Sequence, residues 1–335
     1  MTSNKAMGET NYLDSDFLKY RPFFQGFSPS GMGLKKIAYE KSDPKSYTFQ
    51  INPKDFSWYR NAKIECRKEL SEYYAHRDYP AKASCEWIIH CLCKEYPQYF
   101  EWQINNNEGT LYCSLTQEKL IVELNTFELK SFEAKIQYVD LYDALAMQVP
   151  EDIVIHYVGA ETNHAAAIHL CHANGWSAKT AVLKSFEDIH IPVPRFPKIV
   201  PNSQKLLGAL VRSPQEFERL GGLCVRSSQR LDRHPRYSRE EKNPPFIAEE
   251  ENFYFRFERQ TLNKIDDSHF MFTIRTYISQ MAALAQESDF FNMLDAHEAN
   301  RAEFAKLEEF FVGQAKAWEE YKSILTRRYR GDIPH

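Results

Sequence analysis

Hydrophobic and polar positions alternate most clearly between residues 253 and 280. In "FYFRFERQTL" (253–262), Phe253, Phe255 and Phe257 fall on one parity, while Tyr254, Arg256, Glu258 and Gln260 fall on the other. That is the period of a strand with one buried face. The next residue on the phenylalanine parity is Arg259, a guanidinium aimed where a core should be. "FMFTIRTYI" (270–278) repeats the alternation, with Phe270, Phe272 and Ile274 on one parity and Thr273, Arg275 and Tyr277 on the other. "GGLCVRSS" (221–228), "DIVIHYVG" (152–159) and "AAAIHLCH" (165–172) supply three more strands, the last two joined by the polar turn "AETN".

Helical periodicity predicts elements at 53–77, with Asn52 as cap, and at 83–96, stopped by Pro97. A short helix near 141 ends before Pro150, and another spans 199–212. Residues 98–135 fit either type: "GTLYCSL" suits a strand, and "QEKLIVEL" suits both. The loop 229–251 is charged and proline-rich, and the tail from about 279 is helical. The order is therefore helices, two strands, a helical crossover, three strands and helices. This predicts an α+β fold with a five-stranded antiparallel, PAS-like sheet. The expected layout is an irregular segment 1–50, a helical preamble 51–150, a sheet core 151–278, and C-terminal helices 279–335 packing on that core.

Composition narrows the function classes. The chain has 335 residues, 43% hydrophobic and 26% charged, as in a soluble globular protein. Forty-two Lys and Arg nearly balance 46 Asp and Glu, which argues against nucleic acid or an anionic membrane as partner. No apolar run is long enough to span a bilayer, and the start has no signal-peptide pattern. Seven scattered cysteines suit a reducing, cytoplasmic compartment.

Arg259 needs an anion, because burying an unpaired guanidinium costs several kcal/mol, roughly. A salt bridge to an internal acid is one answer, and the carboxylate of a bound molecule is the other. Arg275 either faces solvent or joins Arg259. No dinucleotide or phosphate loop, zinc pattern or nucleophile elbow occurs. His164, His169 and His172 do not converge along a strand. "HCLC" (90–93) belongs to an amphipathic helix. His190, in "FEDIHIPVP" (186–194), precedes two prolines that hold the backbone extended, which could aim its imidazole into a cavity.

"IHIPVP", "FERQTL" and "FTIRTY", with "YRPF" at 20–23 and "LCHANGW" at 170–176, resemble the haem-dependent oxidative N-demethylase alpha-subunit family over about residues 20–325. The resemblance implies a PAS-like fold holding a b-type haem and acting as a monooxygenase with O2. A small secondary or tertiary methylamine would lose a methyl group as formaldehyde. Electrons would come from NADPH through a separate flavin and iron–sulfur reductase, and a folate-binding subunit would take the formaldehyde. The alternative is a haem or small-ligand sensor or binding protein without turnover.

On this reading the axial donor lies in the crossover, where His172 and His190 are the candidates and His190 is preferred. Arg226, Arg259 and Arg275 are the candidate propionate partners. Glu258 would pair with the substrate ammonium or relay protons. Glu258 and Arg259 cannot both face one pocket unless the strand twists or bulges. The chain departs from the family pattern at Ser228 and Gln229, where relatives carry Asn-Trp, and at Leu183, where relatives often carry glycine.

Overall fold

The computed structural model describes residues 34–172, 174–191, 200–247, 252–286, 290–292 and 315–330. The "YRPF" motif and the prolines 192, 194 and 197 lie outside the described residues, as does the tail 293–314. Eleven strands are present among the described residues: β1 (Lys35–Ile37), β2 (Tyr74–His76), β3 (Phe100–Asn105), β4 (Glu108–Cys113), β5 (Glu118–Glu123), β6 (Glu128–Glu133), β7 (Asp152–Val158), β8 (Asn163–His169), β9 (Glu216–Arg226), β10 (Tyr254–Lys264) and β11 (His269–Gln280). The helices are α1 (Pro53–Cys66), α2 (Leu70–Tyr73), α3 (Ala81–Glu95), α4 (Leu141–Ala146), α5 (Ala178–Ala181), α6 (Phe186–His190), α7 (Ser203–Arg212), α8 (Arg239–Lys242), α9 (Met281–Leu284) and the C-terminal helix Ala315–Arg330.

The alternation at 253–280 produces the long hairpin β10–β11, which pairs from Tyr254↔Gln280 to Lys264↔Phe270. It lies at the centre of a sheet ordered β1-β9-β10-β11-β7-β8-β2, with every neighbouring pair antiparallel. The sheet therefore has seven strands rather than the expected five. The two additional strands are three-residue edge pieces, too short to show any alternation. One of them, β2, occupies the end of the helix expected over 53–77. That helix is α1, ended at Cys66 and followed by a short 3-10 turn and α2. Its cap is as expected: the Asn52 side chain accepts from Lys54 N–H, and Pro53 takes the first helical position.

Residues 100–133 form a second, four-stranded antiparallel meander, β3-β4-β5-β6. Its turns use Asn106, Gln117 and Phe127 at positive φ (54°, 60° and 56°) instead of glycine, so the usual hairpin signal is missing. "QEKLIVEL" is the strand β5, with alternate residues buried.

The two faces of the large sheet are covered differently. Ile153, Ile155, Ala167 and Met271 pack with residues of α3, α4 and the meander. On the opposite face, Val154, Ile168 and Ile274 meet Ala178 and Ala181 of α5, while Val158, Leu262 and Phe270 meet Leu207, Leu210 and Val211 of α7. Phe253 and the phenylalanines of β10 form a third cluster with α9 and the C-terminal helix, where Phe253 stacks on Tyr321 at 4.1 Å. Full burial of each such side chain is worth about 1.5–3 kcal/mol.

The segment 47–52 crosses the first of these faces without joining a ladder, so side chains satisfy its backbone. Glu95 accepts from Thr48 N–H at 2.8 Å and Phe49 N–H at 3.2 Å, and Glu151 accepts from Gln50 N–H at 2.7 Å. The Tyr96 hydroxyl accepts from Ile51 N–H and donates to Phe49 O. Burial pushes the Glu95 carboxyl up to about 7.

Leu183 follows the C-cap of α5 at φ 66° with its side chain 53% exposed. This left-handed position after a helix is one that glycine usually takes, because a Cβ is crowded there. Leucine at this position is therefore a backbone strain at a helix end. Leu183→Gly should raise the denaturant midpoint, by a net of about 0.5 kcal/mol, the relief of left-handed strain exceeding glycine's entropy cost. A lower midpoint would contradict this explanation.

Candidate functional site

Directly opposed residues of an antiparallel ladder share a face, and the register of β9, β10 and β11 sorts the charged residues accordingly. Gln260 opposes Ile274 and Arg219, and Leu262 opposes Phe272 and Phe217. Leu262, Ile274, Phe272 and Phe217 all pack with the crossover. Glu258, two residues along the same parity, opposes Thr276 and Gly221 and so lies on the crossover face. Arg259 opposes Arg275, and both point to the other face, toward the 47–52 segment and α1.

Arg259, 1% exposed, donates from Nε to Glu218 Oε2 at 2.7 Å, from Nη1 to Thr48 O at 3.1 Å and from Nη2 to Lys45 O at 3.4 Å. The salt-bridge reading of its sequence position describes what is seen. Arg275 is buried rather than solvent-facing. It stacks on the Tyr59 ring at 3.6 Å and places Nη2 3.3 Å from both Asp55 carboxylate oxygens. Burial raises the Asp55 pKa, with Arg275 working in the opposite direction. Arg259 and Arg275, both expected beside a cofactor, thus anchor the N-terminal layer and lie across the sheet from the crossover.

The crossover face carries a different set. Glu258 is nearly buried, its side chain 9% exposed. Gln260 Nε2 donates to Glu258 Oε2 at 2.9 Å, and Arg256 Nη2 lies 3.8 Å from Oε1. A Cβ at Gly221 would come within 2.4 Å of Gln260 Nε2, so this glycine makes the space in which Gln260 reaches Glu258. Arg256 donates to His172 O at 2.6 Å, Leu231 O at 3.1 Å and Thr276 Oγ1 at 3.3 Å. Arg226, at the end of β9 and opposite Tyr254, belongs to this same face and donates to its neighbour Val225 O at 3.1 Å. Just beyond it, Ser228 Oγ accepts from Arg230 N–H, closing the turn.

His190 reaches this face from α6. Its place differs from the extended, proline-stiffened segment expected: it is the last residue of a short helix that Ser185 caps by accepting from Asp188 N–H at 3.0 Å. Ser185 with Glu187 and Asp188 in the first turn is a helix-start signal that the prolines beyond His190 obscured. His190 Nδ1 lies 2.7 Å from Phe186 O and therefore carries the hydrogen that this bond needs, which in neutral imidazole places the lone pair on Nε2. Burial, aided by the Arg219 charge, lowers the His190 pKa and favours that neutral form. The ring packs on Phe186 at 4.1 Å.

His172, the other crossover histidine, is 1% exposed and lies edge-on to Tyr59 at 5.5 Å. Burial first, then the charges of Lys63, Arg256 and Arg275, push its pKa well down. Its main chain is tied on both sides, with N–H bonded to Asp152 and the carbonyl to Arg256.

One further constellation went unnoticed in the sequence. Cys171 Sγ lies 3.9 Å from His169 Nδ1, His169 Nε2 lies 3.2 Å from Asp143 Oδ1, and Arg67 holds Asp143. Burial works against the Cys171 thiolate, yet the Cys66 thiol and the His169 charge pull its pKa down. All three residues have 0–1% exposure, so this row is a packed ion pair closed to any substrate.

Arg219, Gln260 and Gly221 were also missed as site residues, because their roles depend on the pairing of β9 with β10, two strands far apart in the chain. Among the described residues no helix is long and apolar enough to cross a membrane. No curated protein matches the chain. Residues 47–309 match a family described as haem-dependent oxidative N-demethylase, alpha subunit-like, and the chain belongs to that family.

Proposed function

We propose that this protein is a haem-dependent oxygenase that removes a methyl group from a small secondary or tertiary methylamine, giving the amine and formaldehyde. The observation that carries the reading is the His190 Nδ1–Phe186 O bond on the face that also holds Glu258. Metal-binding imidazoles commonly donate their second nitrogen to a carbonyl in this way, which fixes the ring and leaves the other nitrogen as donor. His190 is partly exposed, whereas His172 is enclosed at 1% exposure. The strands β9-β10-β11-β7-β8, roofed on one face by the crossover, form the PAS-like cup of this proposal.

The donor set fits a b-type haem. His190 would hold the iron, and Arg226, with Arg219 and Arg256 on the same face, supplies cations for the propionates. Arg259 and Arg275 are left out of this set because Glu218 and Asp55 engage them on the other face. Bound haem would supply oxygen activation and oxidation of the N-methyl group. Glu258 holds the substrate ammonium through Oε1 and takes its proton, while Gln260 fixes the carboxylate through Oε2. The apolar residues of α5 and α7 keep water from the cup. Electrons come from NADPH through a separate flavin and iron–sulfur reductase, and a folate-binding subunit receives formaldehyde. A cytoplasmic setting suits the six described cysteines, all free thiols.

Reconstitution with haem followed by absorption spectroscopy tests the reading. The wild type should show a Soret band, and His190→Ala should lose it or shift it to a different ligation state. A wild-type spectrum in His190→Ala would remove His190 as the axial ligand, and no Soret band in the wild type would remove the oxygenase itself.

Formaldehyde release from dimethylamine, driven by a flavin and iron–sulfur reductase with NADPH, separates an enzyme from a sensor without turnover. Glu258→Gln should keep the haem spectrum and lower kcat/KM by roughly 100-fold, the lower range for loss of a general base. Unchanged kcat/KM would take Glu258 out of the chemistry.

A further inference from the structure

Asn163 opens β8 and is 9% exposed. A carboxamide has two acceptor lone pairs and two donor hydrogens, and in Asn163 all four are used. Oδ1 accepts from Phe186 N–H at 2.7 Å and from His156 Nε2 at 3.0 Å. Nδ2 donates to Glu187 Oε2 at 3.0 Å and to Gln204 Oε1 at 2.9 Å. One side chain therefore joins β8 to β7, to the first turn of α6 and to α7.

The partners are themselves fixed. Burial pushes His156 down to about 4, so it stays neutral, and its ring lies 5.2 Å from that of Phe270. Burial works against the Glu187 carboxylate, but bonds from Ser203 and Asn163 hold its pKa below the usual value. Gln204 continues to Gly159 O at 2.9 Å. Phe186 is then held at both ends: its N–H by Asn163, its carbonyl by His190 Nδ1–H. Its ring lies 4.1 Å from that of His190, tilted by 34°, and meets the His156 ring nearly edge-on, at 6.3 Å and 87°.

We propose that Asn163 is the positioning residue for His190, fixing Phe186 and through it the direction and tautomer of the imidazole. The proposal rests on the reading of His190 as the axial donor. An aspartate would turn a carboxylate toward Glu187, and a leucine would remove all four bonds.

The test uses the full chain reconstituted with haem, comparing wild type, Asn163→Ala, Asn163→Asp and His190→Ala. The readouts are the Soret and visible spectrum and the rate of haem transfer to apomyoglobin. Asn163→Ala should release haem roughly 10–100-fold faster, the range for losing an outer-shell partner of a ligand, with a spectrum shifted toward weaker axial ligation. Asn163→Asp keeps the shape and the Phe186 bond, and should show a smaller effect in the same direction. Should Asn163→Ala fail to fold, Asn163→Asp carries the comparison. A wild-type spectrum and haem-loss rate in both Asn163 variants, with His190→Ala impaired, would overturn the role of Asn163 alone. Wild-type behaviour in His190→Ala would overturn this inference together with the ligand assignment.

Discussion

A pleated strand cannot send two neighbouring side chains to the same side of its sheet, and Glu258 and Arg259 are neighbours. Much else in the molecule follows from that separation. On one side β10 presents Arg256, Glu258 and Gln260, with Arg256 reaching the carbonyls of His172 and Leu231. On the other it presents Arg259, beside Arg275, to the N-terminal layer. The irregularity in the β9–β10 pairing between Arg256 and Glu258 does not merge the two sets. Each charge finds its partner on its own face, so the cost of burying it is offset locally.

The N-terminal face uses its charges for assembly. Glu95, Glu151, Tyr96 and Arg259 together satisfy the backbone of a segment that belongs to no ladder, and Asp55 brings α1 onto Arg275. Removing one partner there leaves a buried charge unpaired, a change that costs about 3–5 kcal/mol. The crossover face uses its charges differently. Gln260 fixes one oxygen of Glu258, the other lies 3.8 Å from Arg256 Nη2, and Arg256 also donates to the carbonyls of His172 and Leu231. Side chains fixed in this way are preorganised, which is the property a binding site needs.

The sequence showed the strands of the central sheet because β7 to β11 are long enough for alternation or apolar runs to register. It could not show β1 and β2, three residues each, nor the meander, whose turns put Asn106, Gln117 and Phe127 where glycine would have signalled a hairpin. The candidate site was legible in part. "FERQTL" and "IHIPVP" pointed to Glu258, Arg259 and His190, but parity alone could not say which parity faced the crossover. Register settles that, and it separates Arg259 and Arg275 from Glu258. Asn163 gave no signal, since a polar residue at the end of a turn is unremarkable until its four partners, from three other elements, are in place.

The proposed division of the sheet into an assembly face and a haem-binding face has a direct measurement. In crystals of the haem-loaded protein, anomalous scattering at the iron edge locates the metal without reference to any side-chain assignment. The peak is expected on the crossover side of β10, at bonding distance from His190 Nε2 and on the same side as Glu258. A peak on the side of Arg259 and Arg275 would contradict the central claim.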